Sequence, residues 1–226
     1  MGSLSHLERR ARGTSAARGA VVLLHGFGAE PEDLLPIAHE LDPDERYDWF
    51  FPAAPISIPG LPYGAAWFPR TKWELQVALF GPYFADLASK DSDGLVEAAA
   101  EIDTLVAQLG VSWGRTVIGG FSQGAIVAVE CAIAGHRPAG VAILSGTLMA
   151  EDRWRAAAEN LAGLRAFQSH GAFDSLLDPE GASALREFLT AAGVDVTYHE
   201  FSGGHDIPAE ARAALGTFLE NTFADA

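Results

Sequence analysis

The sequence predicts an α/β fold in which a mostly parallel central sheet is flanked by helices. Short apolar runs alternate with longer segments of helical periodicity along the 226 residues. Strands that alternate regularly with helices form βαβ units, which make a parallel sheet covered on both faces. Hydrophobic residues make up 49% of the chain, and we find no repeat or low-complexity linker. We therefore predict one domain over 1–226, with 1–19 as an N-terminal extension or edge strands.

Six runs carry the strand signal. Ala20–Leu24 is continuously apolar, as a strand buried on both faces should be. Val194–Phe201 instead alternates, which is typical of an edge or half-exposed strand. The other predicted strands are Tyr47–Ala53, Thr116–Phe121, Gly140–Leu144 and Leu164–Ser169.

Four segments between these runs predict helices. Gly94–Leu109 has apolar residues at steps of three and four, and Gly110 ends it. Gln123–Ala134 is almost wholly apolar, which suits a central helix packed on the sheet. The last two predicted helices are Glu180–Ala192 and Pro208–Thr222.

An insertion rich in aromatic residues and proline, 55–93, is too long for an ordinary connection. Its aromatic content argues against disorder, and Leu75–Phe80 could form a short helix. The segment is either a cap that covers the sheet edge or the apolar lining of a ligand cleft.

Composition and charge exclude several classes of function. Fifteen Lys and Arg residues against thirty Asp and Glu give a formal charge of −15, which opposes nucleic-acid binding and adsorption to anionic lipid. Cys131 is the one cysteine, so an intramolecular disulfide is impossible and a cysteine-rich zinc site is excluded. We find no apolar run long enough for a signal peptide or a membrane span, and therefore predict a cytoplasmic protein with no stable membrane insertion.

A G-x-S-x-G motif, Gly120-Phe121-Ser122-Gln123-Gly124, lies between a predicted strand and a predicted helix. A serine on such a tight turn is held in a strained conformation that exposes its hydroxyl at the carboxyl end of the sheet. The position also lies beside the positive end of the helix dipole. Ser122 is therefore the candidate nucleophile.

A serine hydroxyl needs a histidine to remove its proton and a carboxylate to orient that histidine. This kind of turn predicts the chain order serine, acid, histidine. Asp174 follows the strand that ends at Ser169, and His205 follows the last strand, so both lie on the same rim as Ser122. Asp178 is the main rival for the acid, and Asp206 and Asp152 are less well placed.

Acyl transfer also requires hydrogen-bond donors for the developing oxyanion. The Gln123 N–H directly follows the nucleophile, and the Phe27 N–H lies in His25-Gly26-Phe27-Gly28 after the first predicted strand. The alternative for this second segment is a plain glycine turn. The histidines show no clustered spacing, so we predict neither a metal site nor a cofactor.

Taken together, LLHGFG, AAP, WF, GGFSQGA, LSG, HGAFD and GGH in this order resemble the phospholipase/carboxylesterase family of α/β-hydrolases. That family includes the acyl-protein thioesterases and small bacterial carboxylesterases, and the match runs over about 20–219. The resemblance implies an α/β-hydrolase fold with a minimal cap. It also implies Ser122, Asp174 and His205 as the triad, with Phe27 and Gln123 as oxyanion donors.

We predict a serine carboxylesterase that hydrolyses esters or thioesters of small-to-medium acyl chains through an acyl-enzyme. The acyl chain is expected to contact Trp67, Phe68, Leu148 and Met149. Alternatives on the same scaffold are a (lyso)phospholipase, a lactonase, a peptidase or an acyl-protein thioesterase, and a non-enzymatic binder is a further class. The predicted partner is a small-molecule ester, and a hydrophobic cap edge could also support a homodimer.

Overall fold

The computed structural model describes residues 4–12, 17–68, 89 and 93–224, and these ranges contain a seven-stranded sheet in the order β1-β3-β2-β6-β7-β8-β9. β1 pairs antiparallel with β3, and every other pairing in this sheet is parallel. The strands are β1 His6–Arg9, β2 Ala20–Leu24, β3 Asp48–Pro52, β6 Thr116–Phe121, β7 Gly140–Leu144, β8 Arg165–Gly171 and β9 Asp195–Phe201. The predicted mostly parallel sheet is thus confirmed.

Six α-helices lie in the described ranges: α1 Leu35–Leu41, α2 Asp93–Leu109, α3 Gln123–Ile133, α4 Glu151–Ala156, α5 Pro179–Ala191 and α6 Ala209–Ala224. Four of them, α2, α3, α5 and α6, correspond to the predicted helices. The short helices α1 and α4 were not predicted, because each spans two turns or fewer and carries too little periodicity to stand out.

Helices cover both faces of the sheet. On one face, apolar side chains of α2, α3 and α5 pack on β2, β6 and β7 around Ile102, Ile126 and Leu185. On the other face, α1 and α6 pack on the sheet around Ile37 and Leu215. Residues of β2 alternate between the two cores, because successive side chains of a strand point to opposite faces.

Part of the predicted insertion is visible. Two short strands, β4 Ile56–Ser57 and β5 Ala65–Ala66, pair antiparallel, and Ala29 forms an isolated bridge with Ala65. This hairpin therefore lies against the loop that follows β2. The predicted helix Leu75–Phe80 falls outside the described residues. No helix in the described ranges is long and apolar enough to cross a membrane.

The order of the parallel strands brings the ends of β2, β6, β8 and β9 to one edge of the sheet. β6 occupies the centre, between β2 and β7. The loops after these strands contain the candidate catalytic residues, as expected for a parallel α/β sheet.

Candidate active site

Ser122 occupies the sharp turn between β6 and α3. Its backbone has φ 55° and ψ −116°, a left-handed φ that a non-glycine residue adopts only where the surroundings impose it. The Ser122 N–H donates to the Leu144 carbonyl at 2.9 Å, which fixes the turn to the end of β7. The residue is 8% exposed, so its side chain keeps limited access from outside.

The glycines of the motif are required by close backbone packing. A Cβ at Gly120 would overlap the Gly124 backbone, and a Cβ at Gly124 would overlap the Leu24 carbonyl oxygen. Both close approaches lie where the start of α3 passes the carboxyl ends of β6 and β2. The motif thus allows the helix to begin directly above the sheet, with Ser122 at its first turn.

Asp174 and His205 are in direct contact. His205 Nδ1 lies 2.7 Å from Asp174 Oδ2, and the Asp174 side chain is fully buried. Asp174 Oδ1 accepts hydrogen bonds from the Leu176 and Leu177 N–H groups at 2.8 and 2.9 Å. The carboxylate therefore receives N–H donors on both oxygens, an arrangement that favours its ionised form.

Burial by itself would raise the pKa of Asp174. The hydrogen bond and charge of His205, together with the two backbone N–H groups, outweigh burial and leave the pKa below its ordinary value. Asp174 is thus an anion whose Oδ2 faces His205 Nδ1.

Asp178, the rival acid, has a different role. Its carboxylate accepts the Glu180 N–H at 2.8 Å and caps the N-terminus of α5. The structure thus brings Asp174 to the histidine and Asp178 to a helix end.

His205 also lies beside the turn that carries Ser122. Its ring centroid is 4.7 Å from that of Phe121, the residue before Ser122. Ser145 Oγ donates to the Asp206 carbonyl at 3.2 Å and so fixes the loop that carries His205. The sequence signal for Ser145 was the LSG motif, but this loop contact was not predicted.

A second histidine, His170, lies against Asp174. His170 lies in β8 and is buried; its Nε2–H donates to the Leu177 carbonyl at 2.9 Å and is 3.4 Å from Asp174 Oδ2. Burial lowers the pKa of His170, because no charged partner compensates fully for lost solvation. A neutral His170 therefore ties the Asp174 turn to the strand before it.

The loop after β2 lies against Ser122. A Cβ placed on Gly26 would be 3.5 Å from Ser122 Cβ. His25 Nδ1–H donates to the Gly26 carbonyl at 2.8 Å, and His25 Nε2 accepts the Ala54 N–H at 3.1 Å. Burial lowers the pKa of His25, and both bonds require its neutral form, so a single tautomer shapes this loop.

Of the two predicted oxyanion donors, Gln123 directly follows the serine, and Phe27 follows Gly26 in the loop that lies against Ser122. Gln123 is the first residue of α3, where an N–H has no acceptor within its own helix. In the other loop, the Gly28 and Ala29 N–H groups donate to Ala65 and Gly26. Among the described residues, no backbone carbonyl is paired with the Phe27 N–H. Their role as oxyanion donors stays a prediction.

The Gln123 side chain has a function that the sequence did not predict. Its Oε1 accepts the Trp67 N–H at 2.9 Å, and its Nε2–H donates to the Phe68 carbonyl at 3.1 Å. Trp67 Nε1–H in turn donates to the His25 carbonyl at 2.8 Å. Gln123 therefore links the Ser122 turn to residues 67 and 68, and Trp67 links these to the loop after β2.

The residues predicted to contact the acyl chain lie in the core. Trp67, Phe68, Leu148 and Met149 belong to the apolar cluster beside α3 and are 1%, 0%, 2% and 2% exposed. All four side chains are thus packed against protein in this structure. Their contact with substrate stays a prediction.

A cleft of about 500 Å³ opens beside His205, between α1 and α6. This cleft was not predicted, because one of its walls is the unpredicted helix α1. Its lining residues come from the loop after β2, the region of α1, the end of β6 and the segment after His205: His25, Gly26, Ala29, Asp33, Leu34, Pro36, Ile37, Glu40, Phe121, His205, Asp206, Ile207 and Arg212. In the described part of the chain, no group of three or more His, Cys, Asp or Glu side chains could hold a metal ion.

Comparison with known proteins gives a consistent result. The profile of the Phospholipase/Carboxylesterase family matches residues 10–223. Acyl-protein thioesterase 1 of Eremothecium gossypii is 29% identical over 185 residues, covering 77% of this chain and 74% of that protein. The crystal structure of esterase PE8 superposes with a TM-score of 0.81 at 25% identity, covering 98% of this chain and 100% of that one. Arabidopsis thaliana SOBER1 has a TM-score of 0.76 at 22% identity over 91% of this chain and 99% of its own.

Proposed function

Because the chain belongs to the phospholipase/carboxylesterase family and is a serine hydrolase, we propose that it cleaves carboxylic esters or thioesters with Ser122, His205 and Asp174 as its catalytic triad. The observation that carries this proposal is the 2.7 Å contact between His205 Nδ1 and the buried Asp174 carboxylate. This contact lies beside a strained serine turn in which Ser122 has φ 55°.

His205 acts as the base. Its Nδ1–H is engaged by Asp174, so Nε2 accepts the Ser122 hydroxyl proton as Oγ attacks the acyl carbonyl carbon. Asp174 stabilises the imidazolium that results and does not itself take the proton. The imidazolium then gives the proton to the departing alcohol or thiol, and the acyl group remains on Ser122.

Deacylation uses the same groups. His205 removes a proton from water, the hydroxide attacks the acyl-enzyme, and the proton returns to Ser122 Oγ as the carboxylic acid leaves. In each tetrahedral intermediate the Phe27 and Gln123 N–H groups would bind the oxyanion. A donor of this kind contributes about 3 kcal/mol to transition-state stabilisation.

The proposal also covers the substrate: an oxygen ester or a thioester, with an acyl chain of small-to-medium length. We propose small-to-medium acyl groups, with Trp67 and Phe68, which are buried in the described conformation, as the predicted acyl contacts. A cytoplasmic location and a homodimer remain predictions.

The experiment is a p-nitrophenyl ester series from acetate to decanoate, measured with the wild type and Ser122→Ala. We expect the wild type to hydrolyse the shorter esters and Ser122→Ala to lose about 10⁵-fold or more in kcat. Ser183→Ala is a matched control, since Ser183 lies in α5. Equal turnover by the wild type and Ser122→Ala would reject the nucleophile.

A further inference from the structure

The two predicted oxyanion donors lie on separate loops, and one segment of the insertion contacts both of these loops. The Gln123 N–H is at the start of α3, and the Phe27 N–H is in the loop after β2. An oxyanion hole is effective when its donors are already fixed relative to one another before the charge develops. Residues 64–68, which we call the bridging segment, are bonded to the Ser122 turn and to the loop after β2. The bridging segment therefore sets how these two loops are held together.

The Gln123 side chain bonds the bridging segment to the Ser122 turn. Its Oε1 accepts the Trp67 N–H at 2.9 Å, and its Nε2–H donates to the Phe68 carbonyl at 3.1 Å. Gln123 is buried, so solvent weakens these bonds little. An amide bonded at both of its ends to two successive residues fixes the position and the orientation of that backbone. The turn that presents the Gln123 N–H is thus tied to the insertion.

Trp67 and the backbone of the bridging segment bond it to the loop after β2. Trp67 Nε1–H donates to the His25 carbonyl at 2.8 Å, and the centroids of the two rings are 5.3 Å apart. The Gly28 N–H donates to the Ala65 carbonyl at 2.9 Å. These two hydrogen bonds hold the chain on both sides of Phe27, one before it and one after it.

We propose that the Gln123 side chain and the Trp67 indole are positioning residues, which hold the Gln123 and Phe27 N–H groups at the spacing that the tetrahedral intermediate requires. The inference rests on the proposed function. It gives each side chain a role beyond the predicted ones, which are a backbone oxyanion donor at Gln123 and an acyl contact at Trp67. The Gln123 amide acts on the reaction through the bridging segment, whereas its backbone N–H acts on the oxyanion directly.

Two variants break these links at different points and leave both donor N–H groups in the chain. Gln123→Leu removes both side-chain hydrogen bonds, and Trp67→Phe removes the indole N–H and keeps an aromatic ring. The substrate is p-nitrophenyl acetate, whose small acyl group makes the least use of Trp67 as an acyl contact. We expect kcat to fall about 10²-fold in Gln123→Leu and about tenfold in Trp67→Phe, with KM within about twofold of wild type.

A second readout separates displaced oxyanion donors from a general loss of structure. A trifluoromethyl ketone adds to Ser122 as a tetrahedral adduct whose oxygen takes the oxyanion position, so its affinity depends on the same donors. We expect its Ki to rise in each variant by the factor by which kcat falls. The double variant should lose little more than Gln123→Leu alone, because both substitutions release the same segment.

Trp154→Phe is the matched control for the loss of a buried indole N–H. Trp154 is buried, and its Nε1–H donates at 2.7 Å to Oε2 of Glu130, near the other end of α3. We expect this variant to lose about as much thermal stability as Trp67→Phe while its kcat and Ki stay within about twofold of wild type. Thermal unfolding is measured for every variant, and Trp67→Phe alone decides the result if Gln123→Leu does not fold.

The outcomes separate this inference from the proposed function. The inference is overturned, and the hydrolase left intact, if Trp67→Phe keeps the wild-type kcat and Ki, if kcat falls without a matching rise in Ki, or if Trp154→Phe loses as much kcat as Trp67→Phe. A wild type that neither hydrolyses the ester nor reacts at Ser122 with a fluorophosphonate overturns the proposed function itself.

Discussion

Replacing Asp174 with Asn removes the negative charge of the side chain and keeps its size and shape. The amide oxygen can still accept the Leu176 and Leu177 N–H groups that Oδ1 accepts at 2.8 and 2.9 Å. The amide NH₂ then faces His205, where a carboxylate oxygen lies 2.7 Å from Nδ1 in the wild type. Because two donors cannot share a hydrogen bond, His205 is driven to the Nε2–H tautomer, which cannot take a proton from Ser122.

The expected loss of kcat in Asp174→Asn follows from the contact between His205 Nδ1 and Asp174 Oδ2. The Asp174 side chain is fully buried and that of His205 is 12% exposed, so solvent screens the pair weakly. Unit charges about 4 Å apart attract by about 4 kcal/mol at an effective dielectric constant near 20. Losing that attraction in the transition state costs about 10³-fold, and the wrong tautomer raises the expected loss in kcat to about 10⁴-fold.

The assay is hydrolysis of p-nitrophenyl acetate, with thermal unfolding measured in parallel to show that the variant is folded. Asp178→Asn is the matched control, because asparagine also caps helices and Asp178 caps α5. We expect its kcat to stay within about twofold of wild type. The reasoning is refuted if Asp174→Asn stays within about tenfold of wild type, or if Asp178→Asn loses as much activity.

Two further predictions concern stability. Gly124→Ala places a Cβ against the backbone at the exit of β2, so we expect a loss of about 3 kcal/mol in urea unfolding, and a loss below about 0.5 kcal/mol would contradict the packing argument. Burial lowers the pKa values of His25 and His170 below 6.5 in the folded protein. As pH drops, both histidines therefore take up protons at a higher pH in the unfolded chain than in the folded one. The free energy of unfolding should consequently fall as pH drops from 7 to 5. The slope is at most about 1.4 kcal/mol per pH unit for each histidine. His170→Gln should flatten this slope, and an unchanged slope would show that His170 does not contribute.

Much of the fold could be predicted because its signals are local. β2 and β7 read as continuous apolar runs since both of their faces are buried. The edge strand β1, His6–Arg9, lacks such a signal: only one neighbour, β3, pairs with it, and its residues are mostly half-buried. Its antiparallel register therefore depends on tertiary contacts that a short polar sequence does not reveal.

In the candidate site, too, some features could be predicted from local sequence signals and others depend on tertiary contacts. Ser122, Asp174 and His205 each follow a strand, so chain order and parallel topology were enough to place them on one rim. Trp67 and Phe68 were predicted as acyl contacts from the aromatic content of the insertion. The structure shows Trp67 held in the core by Gln123 and the His25 carbonyl, and its contact with substrate stays a prediction. Composition can indicate that a ring is buried, but not whether it is buried against protein or against substrate.

The most direct test of the account is covalent labelling of the wild type with a fluorophosphonate, followed by intact mass and peptide mapping. The account predicts one adduct per chain, on Ser122, with no adduct in Ser122→Ala and much slower labelling in His205→Gln. An adduct on another serine, or equal labelling of the wild type and Ser122→Ala, would contradict it.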